Sequence, residues 1–248
     1  MLLIGVDTET TGLSPQDDRI TEIGAVAWDV EEAAPVAFFH RFIKQDKPVP
    51  KEIVELTGIT DSILDKYGVP EELAIKEFTS FVGNVSPTPP TSGNLPYLVA
   101  QHAPFDKGMF DAAYLRLGLF IPEVIWIDSA KDVQYPSRIK NRNLVGLAAE
   151  HGFLNPFPHR AVTDVLTMLT IISRYDIKEI LANAIEPKIL LWAKVTYHEK
   201  DRAKACGFYY NSAKKMWFKT IFQRDLEKEV DTCKIQGFEV EVVNEEAK

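Results

Sequence analysis

The sequence contains few of the features that mark secreted or membrane-bound chains. It has only two cysteines, Cys206 and Cys233, too few for a disulfide framework, and neither has another cysteine or histidine at zinc-ligand spacing. We therefore expect both to be ordinary thiols. The apolar run at residues 2–6 has no basic residue before it, and Asp7 and Glu9 end it too early for a signal peptide or a transmembrane span. We expect a cytoplasmic protein that does not associate with membranes.

The overall composition is that of a soluble globular protein. Of 248 residues, 46% are hydrophobic and 26% are charged, which suits one large domain or one ordinary domain with a small appendage. The net charge of -8 argues against a large non-specific surface for polyanions. Carboxylates that hold divalent cations count as negative in that sum, although an occupied cation site presents positive charge to phosphate.

The hydrophobic pattern predicts strands first and then alternating helices and strands. Strands are expected near residues 2–8, 20–29 and 35–43, and their short connections favour an antiparallel meander. The later elements are a short helix from Pro50 to Leu56, a helix from Pro70, a proline-rich loop at 84–96, strands at 97–100 and 124–128, and helices at 105–117, 143–150 and 161–175. This order predicts an α/β fold, a mixed sheet with helices packed on it.

After Asp176 the pattern changes, and we predict a helical connector at 177–190 and a small α+β module at 191–248. The module should contain a strand at 192–197, a basic helical turn and an aromatic hairpin at 208–218. Residues 191–243 carry a net charge of +2, and the rest of the chain carries -10. Basic and aromatic residues together suit nucleic-acid binding, but a small module also needs aromatics for its core, so a structural or protein-docking role stays open.

Two carboxylates end the first predicted strand. Because side chains on a strand alternate between faces, Asp7 and Glu9 point to the same side. Hard cations such as Mg²⁺ and Mn²⁺ take oxygen ligands and are often completed by substrate phosphate. On its own this pair fits a solvated acidic turn better than a metal site.

Two further segments carry groups of the same kind. Asp106 follows the strand at 97–100 across a turn at Pro104, at the start of a helix, where an acidic residue is favourable for the helix dipole alone. Asp164 lies near the start of the next long helix, with His159 on the loop before it. Histidine, with an ordinary pKa of about 6.5, can accept a proton from water near neutral pH. A surface histidine at a helix entry is the simpler interpretation of His159 in isolation.

Taken together, the three segments resemble the DEDDh exonucleases, the superfamily that includes proofreading subunits of DNA polymerase III, exonuclease X, ribonuclease T and oligoribonuclease. The stretch from Asp7 to Leu13 (DTETTGL) is similar to the first family motif, APFD at 103–106 to the second, and HRAVTD at 159–164 to the third. The resemblance covers about residues 1–175, including Glu22-Ile23-Gly24, and it implies a ribonuclease-H-like fold for residues 1–176.

The resemblance implies a role for each motif residue. Asp7, Glu9, Asp106 and Asp164 would bind two Mg²⁺ or Mn²⁺ ions, and His159 would act as general base. The implied activity is removal of 5′-mononucleotides from nucleic-acid 3′ ends. The sequence does not settle DNA versus RNA, and we favour single-stranded DNA as the substrate. A ribonuclease T-like or oligoribonuclease-like RNA exonuclease stays an alternative within the class. A polymerase or replication partner and a homodimer stay open.

The expected substrate contacts are less specific. Leu13 lies where relatives place an apolar wedge between bases, Phe105 could stack on a base, and core packing is an equal alternative for both. Thr10, Thr11 and Gly12 could contact the 3′ end or only complete their own turn, and Ile59 belongs to a stretch where relatives carry a substrate-binding loop.

One departure concerns the second motif, where relatives often have His-Asn before Ala-x-Phe-Asp and this chain has Gln101-His102. The departure puts fine substrate positioning in doubt. His102 could be a second titrating group, although a local hydrogen-bonding role is the simpler interpretation. The competing hypothesis is a catalytically silent nucleic-acid-binding or polymerase-docking protein.

Overall fold

A computed structural model describes residues 1–86, 95–212 and 214–243. Most of the predicted proline-rich loop, and Ala213 in the predicted hairpin turn, lie outside the described residues. The chain divides into two compact units, Met1–Ala184 and Ile185–Lys248. Within the described ranges no helix is long and apolar enough to cross a membrane. Cys206 and Cys233 are both free thiols.

The first unit is built on a five-stranded mixed sheet, as the strand pattern predicted. Strands β1 (Leu2–Thr10), β2 (Ile20–Asp29) and β3 (Ala34–Phe42) form an antiparallel meander. Strands β4 (Tyr97–Ala100) and β5 (Ile125–Asp128) extend it in parallel with β1, giving the order β3-β2-β1-β4-β5. Parallel strands require helical crossovers, so the sheet is covered by helices.

Those helices differ from the predictions mainly at their ends. They are α1 (Lys51–Thr57), α2 (Asp61–Tyr67), α3 (Glu71–Val85), α4 (Ala103–Arg116), α5 (Leu144–Glu150), α6 (Ala161–Ile172) and α7 (Ile177–Ile185). The predicted loop start at residue 84 is wrong, because α3 continues to Val85. Helix α2 was not predicted; the hydroxyl of Thr60 caps it by accepting a hydrogen bond from the N–H of Ile63.

The two faces of the sheet bury separate cores. Neighbouring β1 residues alternate between them: Ile4 packs with α3 and α4, whereas Leu3 packs with α5 and α6. A central strand buried on both faces is apolar throughout, which explains why its carboxylates appear only toward its carboxyl end. The sheet thus fixes the position at which Asp7 and Glu9 emerge.

The second unit contains β6 (Lys188–Lys194), α8 (Lys200–Ala205), β7 (Tyr209–Asn211), β8 (Met216–Phe222), α9 (Leu226–Ile235) and β9 (Glu239–Val243). The predicted hairpin forms, between β7 and β8. The bounds predicted for the strand at 192–197 are wrong, because β6 starts at Lys188 and Tyr197 lies in a 3₁₀ turn. The helical connector accordingly ends at Ile185 rather than 190. Neither α9 nor β9 was predicted.

Candidate active site

The end of β1 carries the first two carboxylates. In the antiparallel register Asp7 lies opposite Gly24 and Glu9 lies opposite Glu22, so the four residues share one face of the sheet. A Cβ atom at residue 24 would lie 2.5 Å from the backbone nitrogen of Val162. Only glycine therefore lets the first turn of α6 approach the sheet beside Asp7.

The third carboxylate, Asp106, lies in the first turn of α4 and is 2% exposed. The hydroxyl of Thr8 donates a hydrogen bond of 2.7 Å to its Oδ1 atom. Thr8 lies between Asp7 and Glu9 in β1, so this bond ties the start of α4 to the strand that carries both carboxylates. Sequence analysis did not identify Thr8 as part of the site, since a threonine in a strand carries no distinguishing signal.

The third motif supplies Asp164 and His159. Asp164 accepts a hydrogen bond of 2.9 Å from the backbone N–H of His159 at Oδ2, and another from the side-chain amide of Asn155 at Oδ1. One side-chain ligand atom each of Glu9, His159 and Asp164 lies within 4.8 Å of the others. His159 is exposed and has a φ of 62°, so its loop turns sharply before α6. The structure therefore brings residues from β1 and the entry of α6 into one group.

The carboxylates strongly perturb one another. Burial, followed by the negative charges of Asp106, Glu9 and Asp164, raises the pKa of Asp7 well above its usual range. Burial and the charge of Asp164 raise the pKa of Glu9 to about 8. Burial likewise raises the pKa of Asp106 to about 7 and that of Asp164 to about 6. Four acidic side chains therefore lie close together in a partly dry site, where nearby positive charge would stabilise their ionised forms.

Glu22 anchors the beginning of α6 beneath this group. It is 1% exposed, and it accepts hydrogen bonds from His40 (2.7 Å), Arg160 (3.1 Å) and the backbone N–H of Ala161 (3.2 Å). Burial acts to raise the pKa of Glu22, but the hydrogen bonds from His40 and Arg160 outweigh it and lower the pKa. Glu22 is thus ionised and holds the helix start next to Asp164.

We expect Glu22→Ala to destabilise the chain by roughly 2–3 kcal/mol, because it removes the buried acceptor of hydrogen bonds from the partly exposed side chains of Arg160 and His40. The free energy of unfolding should be measured in urea. The control is Glu77→Ala, which removes a partly exposed ion pair with Arg41 and should cost at most about 1 kcal/mol. Equal losses in the two variants would show that Glu22 does not anchor α6.

The predicted substrate contacts near the first motif fall into two groups. Leu13 is 83% exposed, so its side chain is accessible to a ligand. Thr10 and Thr11 are engaged locally: Thr10 donates to the carbonyl of Gly12, and Thr11 donates to Asp18. A Cβ at Gly12 would lie 2.5 Å from the carboxylate of Asp18, so a side chain there would displace the group that bonds Thr11 and the N–H of Ser14.

The other two predicted contacts pack inside the unit to different degrees. Ile59 is 1% exposed and packs with Val49 and Leu64, so the prediction that it contacts substrate is wrong for its side chain. Phe105 is half-buried against the core between the sheet and α4. Core packing therefore explains Ile59, for which it was not considered, and it explains Phe105, for which it was the alternative, in part.

Gln101 and His102 occupy the turn between β4 and α4. The side chain of Gln101 donates to the carbonyl of Arg142 and accepts from Ser129, each at 2.5 Å. His102 has a φ of 61° and an exposed ring, and its backbone N–H donates to Asp128 at 3.2 Å. Gln101 thus fixes the turn, while the His102 ring is left on the surface. The local hydrogen bond of His102 comes from its backbone N–H, and its ring makes none to the residues that the structure describes.

Comparisons with known proteins agree with this architecture. The RNase T family model, described as exonuclease, matches residues 4–172. A PolC-type DNA polymerase III from Halalkalibacterium halodurans is 34% identical over 161 residues, which cover 64% of this chain and 10% of that protein. The chain thus spans about a tenth of the length of this relative.

Two solved structures share the fold. The zinc-bound complex of E. coli exonuclease I with single-stranded DNA matches with a TM-score of 0.64 at 12% identity, covering 95% of this chain and 69% of that one. The nuclease domain of 3′hExo, a DEDDh family member bound to rAMP, matches with a TM-score of 0.59 at 16% identity, covering 70% and 90%.

The mixed sheet with its flanking helices is that of the ribonuclease-H-like fold. The chain belongs to the RNase T family of exonucleases.

Proposed function

We propose that this chain hydrolyses phosphodiester bonds at nucleic-acid 3′ ends and releases 5′-mononucleotides one at a time. The observation that carries the proposal is the convergence of Glu9, His159 and Asp164 with the electrostatically linked Asp7 and Asp106. Each of these residues is unremarkable alone. Their assembly in one site from β1, α4 and the entry of α6 is difficult to explain by packing, because buried like charges are costly.

The chemistry of the side chains fits divalent cations. Asp7, Glu9, Asp106 and Asp164 offer hard oxygen ligands, and their raised pKa values reflect a need for positive charge. We propose that these four residues hold two Mg²⁺ or Mn²⁺ ions. Such ions, when bound, supply Lewis acidity that activates water and stabilises the leaving oxygen.

His159 is the proposed general base. Its ring is exposed, and one of its nitrogens lies within 4.8 Å of ligand atoms of Glu9 and Asp164. The backbone N–H of the same residue is fixed by Asp164, so the side chain extends from a held position. A ring nitrogen of His159 would accept the proton of the attacking water.

The proposed substrate is single-stranded DNA. The relative from Halalkalibacterium halodurans is a DNA polymerase, and the exonuclease I structure contains single-stranded DNA. RNA stays the alternative, because the 3′hExo structure contains rAMP. Leu13, the most exposed apolar side chain of the first motif, is the proposed contact with the terminal bases. Because polymerase relatives contain this segment as a small part, a replication partner belongs to the proposal as well.

Metal addition should stabilise the chain, and more so at high pH. Glu9, Asp106 and Asp164 have pKa values of about 8, 7 and 6 when folded, against 3.8 to 4.5 ordinarily, so the folded state binds more protons between pH about 4 and 8. This contribution to stability is present at low pH and is lost as pH rises through the folded pKa values. Bound cations replace those protons.

At one Mg²⁺ concentration, a hundredfold above the Kd at pH 8, we expect Tm to rise by about 5–10 °C at pH 8 and by much less at pH 5, where protons compete for the carboxylates and weaken the Kd. Differential scanning fluorimetry with Mg²⁺ and with EDTA at each pH measures the difference and cancels titrations elsewhere in the chain. An equal shift at both pH values would contradict a site made of these carboxylates.

Substrate choice is tested by digesting matched single-stranded DNA, duplex DNA with a 3′ mismatch, and RNA with Mg²⁺ or Mn²⁺. We expect mononucleotide release to be fastest on single-stranded DNA. Faster release from RNA would move the proposal to the ribonuclease T-like alternative. Absence of release from all three substrates with both metals would favour the catalytically silent binding protein.

A further inference from the structure

The second unit has the split βαβ topology. Its elements follow the order β6-α8-β7-β8-α9-β9, and its strands lie in the order β7-β8-β6-β9. The pairs β6–β8, β6–β9 and β7–β8 are all antiparallel. This is the ferredoxin-like arrangement, a four-stranded sheet with both helices on one face. The other face of such a sheet is a common platform for nucleic acid.

The strand register separates the two faces. Leu191, Ala193, Trp217, Ile221 and Val240 form one face and pack with α8 and α9 through Ala203, Leu226 and Cys233. Because side chains alternate along a strand, the residues between them point away from both helices. We call this second surface the open face. Its residues are Tyr209, Asn211, Met216, Phe218, Thr220, Phe222, Lys188, Leu190, Trp192, Lys194, Glu239, Glu241 and Val243.

A row of rings crosses the open face. Tyr209 of β7 lies opposite Phe218 of β8, and Phe218 lies opposite Trp192 of β6. Neighbouring strands are about 4.8 Å apart, so the three rings lie side by side over about 10 Å. Tyr209 is 77% exposed, Phe218 and Trp192 are half-buried, and none of them belongs to the core of this unit. Core formation therefore does not explain these three rings.

Cations lie over the rings of this face. The Nζ atom of Lys214 is 5.7 Å from the centre of the Phe218 ring. At the far end of β8, Phe222 has Lys188 Nζ at 5.7 Å and the Arg224 guanidinium at 4.6 Å. The acidic residues of the face are confined to the β9 edge, where Glu241 pairs with Lys194 at 2.9 Å. Positive charge and rings thus coincide along β8, away from the acidic edge.

We propose that the open face binds single-stranded nucleic acid, with two or three bases stacked on Tyr209, Phe218 and Trp192. Lys214 would meet a phosphate beside the stacked bases, whereas Arg224 pairs with Glu186 at 3.9 Å. Rings with adjacent cations suit a strand that offers both π faces and phosphates, and they suit an apolar protein partner less well. The site goes beyond the proposed exonuclease activity, because binding to the open face requires neither a 3′ end nor a bound metal ion.

The test uses the whole chain and a circular single-stranded oligonucleotide, which has no 3′ end for the active site. Fluorescence anisotropy of labelled circular dT and rU, with EDTA present, measures Kd. We expect a Kd below about 10 µM for the wild type, which excludes the weaker half of the range of non-specific binding. Tyr209→Ala and Phe218→Leu should each weaken binding about tenfold, the usual effect of losing one stacking ring. Lys214→Glu should weaken binding and reduce its salt dependence.

Matched controls lie on the other side of the same sheet. Tyr210 is the next residue of β7, is 52% exposed and lies opposite Trp217, so Tyr210→Ala should leave Kd unchanged. Lys234→Glu, on α9, controls for a change of charge alone. Thermal unfolding shows whether Phe218→Leu retains the fold. If this variant is unfolded, the proposal is judged on Tyr209→Ala alone, because Tyr209 is exposed and its replacement does not disturb the core.

Two outcomes would overturn the proposal. One is a wild-type chain whose Kd is above about 10 µM for both circles, in the weaker half of the range of non-specific binding. The other is an equal effect of Tyr209→Ala and Tyr210→Ala. Nucleotide release from a linear strand, measured separately, shows whether the exonuclease proposal stands independently of this result. A difference between the dT and rU circles identifies which nucleic acid the face prefers.

Discussion

Asp7→Asn is expected to lower the rate of nucleotide release about a thousandfold while raising the stability of the metal-free chain. The loss corresponds to about 4 kcal/mol of transition-state stabilisation, the scale expected when a metal site is disabled. The gain in stability follows from the raised pKa of Asp7, which burial and four neighbouring carboxylates impose. A neutral amide of the same shape removes that repulsion.

Single-turnover kinetics with Mg²⁺ and urea unfolding with EDTA measure the two effects on the same variant. Asp111→Asn is the control, since Asp111 lies on the outer part of α4 and pairs with Lys107. It should change neither quantity appreciably. Full activity in Asp7→Asn, or a less stable metal-free chain, would remove Asp7 from the proposed cation site.

His159→Asn is expected to slow release by about 10²–10⁴-fold without weakening the binding of a single strand, because general-base catalysis contributes on this scale. Asparagine is the appropriate replacement for two reasons. It tolerates the positive φ of 62° at this position, and it keeps the backbone N–H that donates to Asp164. It cannot accept a proton in the neutral pH range.

The control for His159 is His198→Asn in the second unit, where the side chain is exposed, and it should leave the rate unchanged. Stopped-flow or quench-flow rates separate the chemical step from strand binding. A wild-type rate in His159→Asn would assign proton removal to another group. A rate loss accompanied by an equal loss of binding would assign His159 a role in holding the strand.

The sequence was sufficient for the architecture of the first unit and for the residues of the three motifs. The meander could be predicted because β1 to β3 are long and strongly apolar, and Asp7 and Glu9 share a face simply because strands have a period of two. Asp106 and Asp164 could be placed near helix starts from the prolines and apolar patterns around them. The assembly of these residues into one site came from the resemblance to known exonucleases, not from periodicity.

What the sequence did not reveal depends on contacts between distant segments. The bond from Thr8 to Asp106 and the cap of α6 by Glu22 join residues far apart in the chain. Ile59 was misassigned because its burial under α1 and α2 depends on α2, a helix whose short polar sequence gave little signal. The hydrophobic pattern of a short stretch of sequence does not predict such tertiary contacts.

The second unit shows the same limit more strongly. Its hairpin was predictable from alternating aromatics, but the edge strand β9 and the polar helix α9 were not, because each is stabilised mainly by the elements beside it. The two faces became distinguishable only through the register that pairs Trp192 with Phe218. The sequence left open whether the aromatic residues form the core of this unit or bind a ligand, and the register answers this for each ring: Trp217 packs with the core, whereas Trp192 and Phe218 lie on the open face.

The most direct test of the central claim follows a single DNA strand labelled at its 5′ end during digestion with Mg²⁺. The account predicts a ladder that shortens by one nucleotide at a time from the 3′ end, that stops with EDTA, and that is absent with Asp7→Asn. Activity that persists in EDTA, or shortening that begins from internal or 5′ positions, would contradict a cation-dependent exonuclease acting on 3′ ends.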